Sequence, residues 1–386
     1  MQSKLLNMIN YCIENVPYYR NRKDAYARDF DQLPLLEKAD VRQYNQDFIT
    51  NEVLPGQLIE EHTSGSTGKP LLLYKTKFEL LRQEALLYKH RKKFVASIDQ
   101  MIPIKFFAAN FFSEIVCYNN KTINISCLNL EDASLSEYCK VILSLENAWV
   151  AGPPSAIYKL AKFMSAKQII PTSIKYIELV GELVIKNQRE LIESVFGCPV
   201  RSYYGSREFN CIAYECAHGN LHIANNHVFV EAQQGELVIS ALDQYTMPFL
   251  RYRLGDNGSV HPSDCRCGDQ GSMITDLGGR TTDYIYTSKG RVINDIGLYL
   301  IILDMNAGFD NAIIQFQIVQ YSYNKFLFRL VLADTFNDQM RRLIIAKMDA
   351  LLGEPTECAF EILDDIVIDR ASKKFKYFIS ELDQNR

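Results

Sequence analysis

The sequence lacks a surplus of either charge and lacks any long hydrophobic run. Against 42 lysines and arginines stand 46 aspartates and glutamates in 386 residues, and the formal net charge is -4. Dedicated nucleic-acid-binding proteins normally carry a basic surplus, so this balance argues against that class. The most apolar stretches, such as residues 71–74 and 297–303, are far shorter than the roughly 20 residues of a membrane-spanning helix. We therefore expect neither a nucleic-acid partner nor a membrane partner.

A secretory signal and a disulfide framework are also missing. Residues 1–10 (MQSKLLNMIN) continue into a polar, amphipathic stretch without an apolar block or a cleavage site, so we expect a cytoplasmic protein. In that compartment ten cysteines predict reduced thiols or metal ligands rather than disulfides. With 47% apolar and 23% charged residues, the composition is typical of a globular protein, and small molecules are the expected partners.

The order of the predicted elements indicates the fold class. From residue 102 to residue 204, short apolar strands alternate with helices, which predicts an α/β domain with a parallel sheet and crossover helices. After Gly205, short strands separated by turns predict a β-rich subdomain over about residues 206–280, an antiparallel barrel or sheet appended to the α/β core. From Asp283 onward the pattern predicts a small α+β domain, with a strand around residues 292–296 and a helix over residues 337–352. We therefore predict an N-terminal domain over residues 1–282 and a C-terminal domain over residues 283–386.

The segment HTSGSTGKP, residues 62–70, is the most informative stretch of the chain. Glycines let backbone amides approach an anion closely, the hydroxyl groups add donors, and the lysine adds a positive charge. The segment therefore predicts a phosphate-binding loop made of Thr63, Ser64, Gly65, Ser66, Thr67, Gly68 and Lys69. It is not a Walker loop, because Pro70 stands where a serine or threonine is required. The alternative for a short run of this composition is an exposed, flexible turn.

Four further motifs follow that loop. They are YYGSRE at residues 203–208, MPFLRYRLGD at 247–256, GRTTD at 279–283 and SKKFK at 372–376. Together with TSGSTGKP, and in this order, they resemble the motifs of the acyl-adenylate-forming superfamily of acyl-CoA synthetases, luciferases and peptide-synthetase adenylation domains. VPYYR at residues 16–20 and LPLLEKADV at residues 33–41 resemble the phenylacetate-CoA ligase group and its capsular-polysaccharide-biosynthesis relatives. The resemblance covers essentially the whole chain and implies a large N-terminal domain with a mobile C-terminal lid.

The resemblance also implies a role for each motif. The phosphate loop would hold the β and γ phosphates of ATP. The aromatic turn would border the adenine through Tyr203, Tyr204, Gly205 and Ser206. Glu208 would help hold Mg²⁺, Asp256 would receive the ribose hydroxyls, and Arg280 would assist at the same sugar. Asp283 would be the hinge about which the lid turns.

The resemblance places the catalytic lysine in the SKKFK motif, where Lys374 would bridge the substrate carboxylate and the α-phosphate. Lys373 stands where the family usually has glycine, so Lys373, Lys374 and Lys376 are all candidates, and we favour Lys374 from its place before the phenylalanine. Arg207 replaces the usual threonine of the aromatic turn, and a guanidinium there could contact phosphate or the substrate carboxylate. We therefore count Arg207 with Lys374 and Glu208 as catalytic candidates.

The function implied by the resemblance is ATP- and Mg²⁺-dependent adenylation of a carboxylic acid. The acyl group would then pass to a thiol, either coenzyme A or the phosphopantetheine arm of a carrier protein. Two alternatives stay open. One is an amine acceptor, which would give an amide, and the other is a non-catalytic protein that binds a nucleotide or an acyl adenylate. A carrier protein is a candidate partner, and we expect a monomer or a homodimer.

The acid should bind near the carboxyl ends of the parallel strands, where such folds hold ligands. Candidate wall residues are Phe107, Phe111, Gly152, Pro153, Gly181 and Glu182. Because residues 106–112 (FFAANFF) include four phenylalanines, we expect an aromatic acid. The alternative is that these aromatic side chains belong to the ordinary core.

Cysteines and histidines recur in two nearby segments. ECAHGNLHI supplies Cys216 and His222, and CRCG supplies Cys265 and Cys267. Four such ligands are enough for a closed tetrahedral zinc site, so we predict a structural Zn²⁺, with His218 as an alternative to His222. Members of the phenylacetate-CoA ligase group with matching cysteine and histidine positions bind such a metal. The alternative is a set of buried, unligated cysteines.

Overall fold

The computed structural model describes residues 2–26, 29–63, 71–107, 116–119, 121–127, 130–278, 284–310, 312–333, 335–366 and 376–382. The amino-terminal segment contains four short helices, which are α1 (Gln2–Asn15), α2 (Pro17–Arg20), α3 (Lys23–Tyr26) and α4 (Lys38–Gln43). Their apolar side chains share one core with the β-rich region. Tyr19, for example, is fully buried and donates its hydroxyl hydrogen to the carbonyl oxygen of Pro248, 3.0 Å away.

A hairpin brackets the predicted phosphate loop. Its antiparallel strands are β1 (Leu58–His62) and β2 (Leu72–Thr76), and helix α5 (Lys77–Arg91) follows at once. Thr76 caps this helix, because its hydroxyl accepts from the amide of Glu79 while the Glu79 carboxylate accepts from the amide of Thr76. The chain that leaves the loop is therefore anchored at its first helical turn.

Two sheets make up the rest of the N-terminal part. The strands from residue 102 to residue 275 are β3 (Ile102–Phe107), β4 (Val116–Asn119), β5 (Thr122–Ser126), β6 (Ala148–Gly152), β7 (Ile174–Leu179), β8 (Val200–Ser206), β9 (Asn210–Glu215), β10 (Leu221–Ile223), β11 (Val228–Gln233), β12 (Glu236–Ala241), β13 (Tyr252–Asn257), β14 (Ser259–Pro262) and β15 (Ser272–Thr275). Ten of them form one sheet in the order β14-β15-β10-β9-β8-β7-β6-β3-β5-β4, and β11, β12 and β13 form a second, antiparallel sheet.

Five neighbouring strands of the large sheet run parallel, from β8 through β7, β6 and β3 to β5, which confirms the predicted parallel sheet. The crossover helices are α6 (Asp132–Leu143), α7 (Pro154–Ala166) and α8 (Lys186–Phe196), and they pack against the sheet in one core. Every residue of β6 is buried, as expected for a strand that is covered on both faces. Trp149 and Tyr176 belong to a second cluster, together with side chains that follow α5.

The β-rich region is continuous with the large sheet. Strands β9, β10, β15 and β14 extend that sheet in antiparallel fashion, where the sequence suggested a barrel or sheet appended to the core. The continuity arises because β8 turns back directly into β9, with Asn210 in the left-handed region at a φ of 62°. Residues 203–208 therefore lie where the parallel half of the sheet meets the antiparallel half.

The C-terminal part has its own core. Its elements are β16 (Tyr284–Tyr286), β17 (Val292–Asn294), α9 (Ile296–Gly308), β18 (Ile313–Ser322), β19 (Lys325–Leu332), α10 (Asp338–Leu352), β20 (Glu357–Ile362) and β21 (Phe378–Ser380). A four-stranded sheet in the order β20-β19-β18-β21 packs against α9 and α10. The mixed α/β body and this α+β part confirm the predicted fold class. The predicted division near Asp283 stays a prediction, because that residue lies outside the described ranges.

Helix α9 is absent from the sequence prediction, which continued a strand through Ile296. The helix is strongly apolar (IGLYLIILDMNAG), and a short apolar run has no amphipathic period that separates a buried helix from a strand. Among the described helices, none is long and apolar enough to cross a membrane.

Candidate functional site

A cleft of about 690 Å³ lies between the N-terminal body and the C-terminal part. One side contains Gly181 and Glu182, which follow β7, together with residues 203–208 of the aromatic turn. The C-terminal part contributes Tyr299 and Lys376, among others. The position near the carboxyl ends of parallel strands is where α/β folds bind ligands, and the volume suits a small-molecule site.

The aromatic turn leaves no room for a side chain at Gly205. A Cβ atom on Gly205 would lie 2.0 Å from the carbonyl oxygen of Asn210 and 3.0 Å from Cε2 of Tyr203. The first contact is with backbone, which cannot move aside without disturbing the pairing of β8 with β9. The close approach of the two strands therefore determines where the side chains of Tyr204, Ser206 and Glu208 lie along the cleft.

Two of the predicted motifs meet in this cleft. The hydroxyl of Tyr204 donates to Oδ2 of Asp256 at 2.8 Å, although 52 residues separate them in the chain. The hydroxyl of Tyr252 likewise donates to Oε1 of Glu208 at 3.1 Å. The Nζ atom of Lys38 is 3.8 Å from the same oxygen of Glu208. The predicted ribose ligand and the predicted Mg²⁺ ligand are thus held by tyrosines and lie in one cleft.

Glu208 is only 3% exposed, yet it lines the cleft. A buried carboxylate needs positive charge or hydrogen-bond donors nearby, and Lys38 and Tyr252 supply both. A hard cation prefers carboxylate oxygens, so the residues present fit a Mg²⁺ ion held in part by Glu208.

Lys75 connects the phosphate-loop hairpin to the aromatic turn, and sequence reasoning missed it. Its side chain is 2% exposed, and its Nζ donates to the carbonyl oxygen of Arg207 at 2.7 Å and to Oε1 of Gln83 at 3.2 Å. The same ammonium is 2.7 Å from Oε2 of Glu61, whose other oxygen lies 3.5 Å from Nη1 of Arg207. The signal was a lysine inside an otherwise buried strand, which requires partners for its charge.

A second polar cluster in the cleft was also missed. Oε1 of Glu215 accepts from Nη1 of Arg189 at 2.8 Å, and Oε2 accepts from Nη2 at 2.7 Å. Oε2 also accepts from the amide of Ser202 at 2.8 Å and from its hydroxyl at 2.6 Å. All three residues line the cleft. They carry no recognisable motif, because the bidentate pair joins a helix to a strand that is distant in the sequence.

The predicted acid-pocket residues are only partly assembled in this cleft. Glu182 lines it and accepts from the amide of Ser155 at 3.1 Å and from its hydroxyl at 3.0 Å. Gly181 lines it too and has a φ of 90°, which favours glycine. Of the other described candidates, Phe107, Gly152 and Pro153 do not line this cleft.

Gly152 has a structural role that the sequence did not predict. A Cβ there would lie 2.6 Å from Cβ of Phe106, so glycine allows β3 and β6 to pack. Phe106 itself is 3% exposed and packs edge-on against Tyr138 in the core. The burial of Phe106 agrees with the alternative that this side chain belongs to the ordinary core. Phe111 lies outside the described residues.

Ten other predicted residues lie outside the described ranges. They are Ser64, Gly65, Ser66, Thr67, Gly68, Lys69, Arg280, Asp283, Lys373 and Lys374. Residues at both ends of the phosphate loop and one lysine of the SKKFK motif are described. Thr63 pairs with Leu71 across the base of the phosphate loop, through a backbone bond of 3.0 Å and a bond of 2.8 Å from the Leu71 amide to the Thr63 hydroxyl. Lys376 lines the cleft, and its carbonyl oxygen accepts from Nε2 of Gln317 at 3.0 Å.

The predicted metal ligands come together. One ligand atom from each of Cys216, His222, Cys265 and Cys267 lies within 4.8 Å of all the others. Sγ of Cys216 is 3.7 Å from Sγ of Cys265, and Sγ of Cys267 is 3.3 Å from Nε2 of His222. Bonds of about 2.3 Å to sulfur and about 2.0 Å to nitrogen in a tetrahedron would separate ligand atoms by roughly 3.5–3.8 Å. The cluster therefore fits Zn²⁺.

The surroundings of the cluster fit a metal as well. Nδ1 of His222 is 3.9 Å from Oδ1 of Asp269, whose Oδ2 accepts from the hydroxyl of Tyr214. Hydrogen bonds from the Cys267 amide and the Asn220 side chain lower the pKa of Cys265 to about 6, which favours the thiolate that binds metals. Within the described part of the chain, His218 contacts the cluster through its backbone amide, which donates to Sγ of Cys216 at 3.3 Å. His222 is thus the histidine that the fold brings into the cluster.

Comparisons with known proteins give one consistent result. The family model of the CapK C-terminal domain matches residues 285–381. Protein CapK of Staphylococcus aureus is 25% identical over 399 residues, which cover 95% of this chain and 85% of CapK. Phenylacetate-coenzyme A ligase of Thermus thermophilus is 21% identical over 313 residues, which cover 74% of this chain and 70% of that protein.

Solved structures share the fold. The crystal structure of 2-hydroxyisobutyryl-CoA ligase in the postadenylation state, in complex with R3-HIB-AMP, is similar with a TM-score of 0.71 and 15% sequence identity. The match covers 99% of this chain and 90% of that one, so the likeness in fold includes the C-terminal part. The chain is therefore similar in sequence to CapK and to a phenylacetate-coenzyme A ligase, its residues 285–381 match the CapK C-terminal domain, and its fold is that of a CoA ligase.

Proposed function

We propose that the protein activates a carboxylic acid with ATP and Mg²⁺ as an acyl adenylate and then passes the acyl group to a thiol. The observation that carries the proposal is the meeting of Tyr204, Glu208 and Asp256 in one cleft, because these residues belong to two motifs that follow the superfamily's order. Two relatives support it by their own activities, since one is a phenylacetate-coenzyme A ligase and one is a CoA ligase crystallised with an acyl adenylate.

The nucleotide would bind along the aromatic turn. Asp256 would accept hydrogen bonds from the ribose hydroxyls, and the bond from Tyr204 fixes the orientation of that carboxylate. The phosphates would lie toward the base of the loop at Thr63, which also lines the cleft. Glu208 would hold Mg²⁺, and the bound ion would neutralise negative charge on the phosphates.

The first reaction would join a carboxylate oxygen of the acid to the α-phosphorus of ATP, while the bond to pyrophosphate breaks. Negative charge increases at the α-phosphate during this step, so catalysis depends on cations that are already in position. We propose Lys374 and Arg207 for that role. Lys75 donates to the backbone carbonyl of Arg207, and Glu61 lies beside the Arg207 guanidinium. The side chain of Arg207 is 58% exposed and lines the cleft.

The second reaction would be attack of a thiol on the acyl carbonyl carbon. The bond from that carbon to the AMP oxygen breaks, AMP leaves, and the thiol proton is released. We propose that the C-terminal part turns about Asp283 between the two steps, which exchanges the lysine for the entering thiol. The acceptor would be coenzyme A or the phosphopantetheine arm of a carrier protein, and we propose an aromatic acid as the substrate.

The test is isotope exchange between pyrophosphate and ATP. The full chain is incubated with Mg²⁺, ATP, labelled pyrophosphate and one acid at a time from a panel of aromatic, hydroxy, amino and aliphatic acids. We expect exchange that depends on the acid and falls about a hundredfold for Asp256→Asn, because hydrogen bonds to a charged group are weakened. Binding of ATP without exchange for any acid would contradict the proposal and favour a non-catalytic nucleotide-binding protein.

The acceptor needs a separate experiment. The acid that supports exchange is supplied with coenzyme A, with a phosphopantetheinylated carrier protein or with an amine, and products are identified by mass. A thioester is the expected product. An amide formed without any thioester would contradict the thiol as acceptor while leaving the adenylation step intact.

A further inference from the structure

The metal ligands and the cleft wall share one hairpin. Glu215 and Leu221 are paired across β9 and β10, and both line the cleft. The residue that follows each of them is a metal-ligand candidate, Cys216 in one case and His222 in the other. Successive side chains of a strand point to opposite faces, so the hairpin presents a cleft wall on one side and the metal cluster on the other.

On the cleft side, Glu215 determines how β8 is held. Its carboxylate is 5% exposed and receives two bonds from Arg189 and two from Ser202. Ser202 is two residues before Tyr204 on the same strand, so their side chains lie on the same face. A shift of Glu215 would leave a buried charge incompletely paired, and it would disturb the strand that leads to Tyr204 and its bond with Asp256.

On the metal side, the cluster connects this hairpin to a distant segment. Cys216 and His222 are buried, whereas Cys265 is part-buried and Cys267 exposed. The direct contacts across the cluster are between thiols, or between a thiol and an imidazole, and such hydrogen bonds are weak. A bound Zn²⁺ would replace them by coordinate bonds and hold residues 215 and 221 in the cleft wall.

We propose that metal in the Cys/His cluster and nucleotide in the cleft bind with positive coupling, transmitted through Glu215, Arg189 and Ser202. The inference rests on the proposed function in one respect, namely that the cleft binds a nucleotide. Coupling between two binding sites is reciprocal, so zinc must strengthen nucleotide binding by the same factor as nucleotide strengthens zinc binding. We expect a factor of about ten, within the usual range for coupled sites.

The experiment measures both affinities on the full chain. AMP is the nucleotide probe, because the triphosphate of ATP itself binds zinc. Zinc affinity is obtained by competition with a chelating indicator, with and without saturating AMP, and AMP affinity by calorimetry on zinc-loaded and zinc-stripped protein. We expect zinc to bind about ten times more tightly with AMP present, and AMP to bind about ten times more tightly with zinc present.

Two variants localise the effect. Glu215→Gln keeps all four ligands, so it should retain stoichiometric zinc, but its zinc affinity should no longer respond to AMP. Cys198→Ser removes a free cysteine outside the cluster and should preserve both affinities and their coupling. Circular dichroism shows whether the zinc-stripped protein stays folded. If it unfolds, the test uses zinc affinity alone, measured with and without AMP in Glu215→Gln and in the unsubstituted chain.

The outcomes separate the two proposals. AMP binding with the same zinc affinity in its presence and absence would overturn the coupling and leave the proposed function standing. A response to AMP that persists unchanged in Glu215→Gln would overturn the route through that residue. Absence of any AMP or ATP binding by the zinc-loaded chain would overturn the proposed function, and the coupling with it.

Discussion

The hydroxyl of Tyr204 donates a hydrogen bond to Oδ2 of Asp256 at 2.8 Å. This bond joins the end of β8, at the junction of parallel and antiparallel strands, to β13 in the second sheet. It therefore links the aromatic turn to the proposed ribose ligand across two sheets. The two motifs work as one unit in the proposed site, because moving either residue would change the geometry of the other.

Tyr204→Phe should weaken nucleotide binding without affecting the fold. A hydrogen bond to a charged group contributes about 1.5 kcal/mol, so the KM for ATP should rise about tenfold. The KM for the acid should change little, because the lost bond holds the ribose ligand. The measurement is pyrophosphate exchange at varied ATP and varied acid, with Tyr299→Phe as the control at another tyrosine of the cleft. An equal change in both KM values would contradict the assignment.

Lys75→Met should reduce both stability and adenylation. The substitution removes a buried ammonium, so Glu61 loses its paired cation and the carbonyl of Arg207 loses its donor, and the free energy of unfolding should fall by about 3 kcal/mol. The turn that carries Arg207 and Glu208 would also lose its anchor, so kcat of exchange should fall in the protein that remains folded.

Lys92→Met is the matched control. Lys92 is paired with Asp99, but both side chains are almost half exposed, and such surface pairs contribute less than about 1 kcal/mol. Urea unfolding of the two variants and the unsubstituted chain gives the comparison. Equal losses in the free energy of unfolding would contradict the prediction that the buried Lys75 stabilises the fold more than the exposed Lys92.

Gly205→Ala should disrupt the aromatic turn. The added Cβ would overlap the carbonyl oxygen of Asn210, so the backbone must move, at roughly 1–3 kcal/mol of stability, and exchange activity should fall sharply. Gly56→Ala adds the same atom where no other heavy atom lies within 4 Å, and it should change stability by no more than about 0.5 kcal/mol. Thermal unfolding and pyrophosphate exchange of both variants check this prediction.

His90 should make stability depend on pH. Burial, with a smaller contribution from Lys93, lowers the pKa of His90 to about 3 from the ordinary 6.5. The unfolded chain therefore binds a proton at a pH where the folded chain does not, and this group reduces stability progressively as the pH falls from 6.5 toward 3. The slope attributable to one such group is at most about 1.4 kcal/mol per pH unit.

His90→Phe should remove that dependence. The imidazole stacks on Tyr214 with ring centroids 3.3 Å apart, and neither ring nitrogen has a hydrogen-bond partner among the described residues. Phenylalanine keeps a stacking ring and cannot titrate. Urea unfolding at pH 7, 6 and 5 should therefore show a smaller loss of stability for the variant than for the unsubstituted chain, and parallel losses would contradict the assignment to His90.

Much of the site could be predicted from the sequence, because its motifs are contiguous. The six residues of the aromatic turn and the four residues of the Cys/His cluster are recognisable by type and spacing, and the fold brings His222 rather than the side chain of His218 to the cluster. The parallel sheet could be predicted for a similar reason, since each strand and crossover helix has a local period.

The parts that could not be predicted depend on distant contacts. Lys75 and the carbonyl of Arg207 are 132 residues apart, and Glu215 and Arg189 form no motif although their bond is bidentate. The continuity of the β-rich region with the large sheet depends on pairing between β8 and β9, which no strand period specifies. Helix α9 was missed because an apolar run of that length fits a buried strand as well as a buried helix.

The most direct measurement follows the oxygen atoms of the acid. An acid that supports exchange is labelled with ¹⁸O in both carboxylate oxygens and incubated with the protein, ATP, Mg²⁺ and the acceptor thiol, and the AMP is analysed by mass spectrometry. A carboxylate oxygen that attacks the α-phosphorus stays with AMP when the thiol displaces it, so our account predicts one ¹⁸O in each AMP formed. Unlabelled AMP, or ADP with the label in inorganic phosphate, would contradict activation through an acyl adenylate.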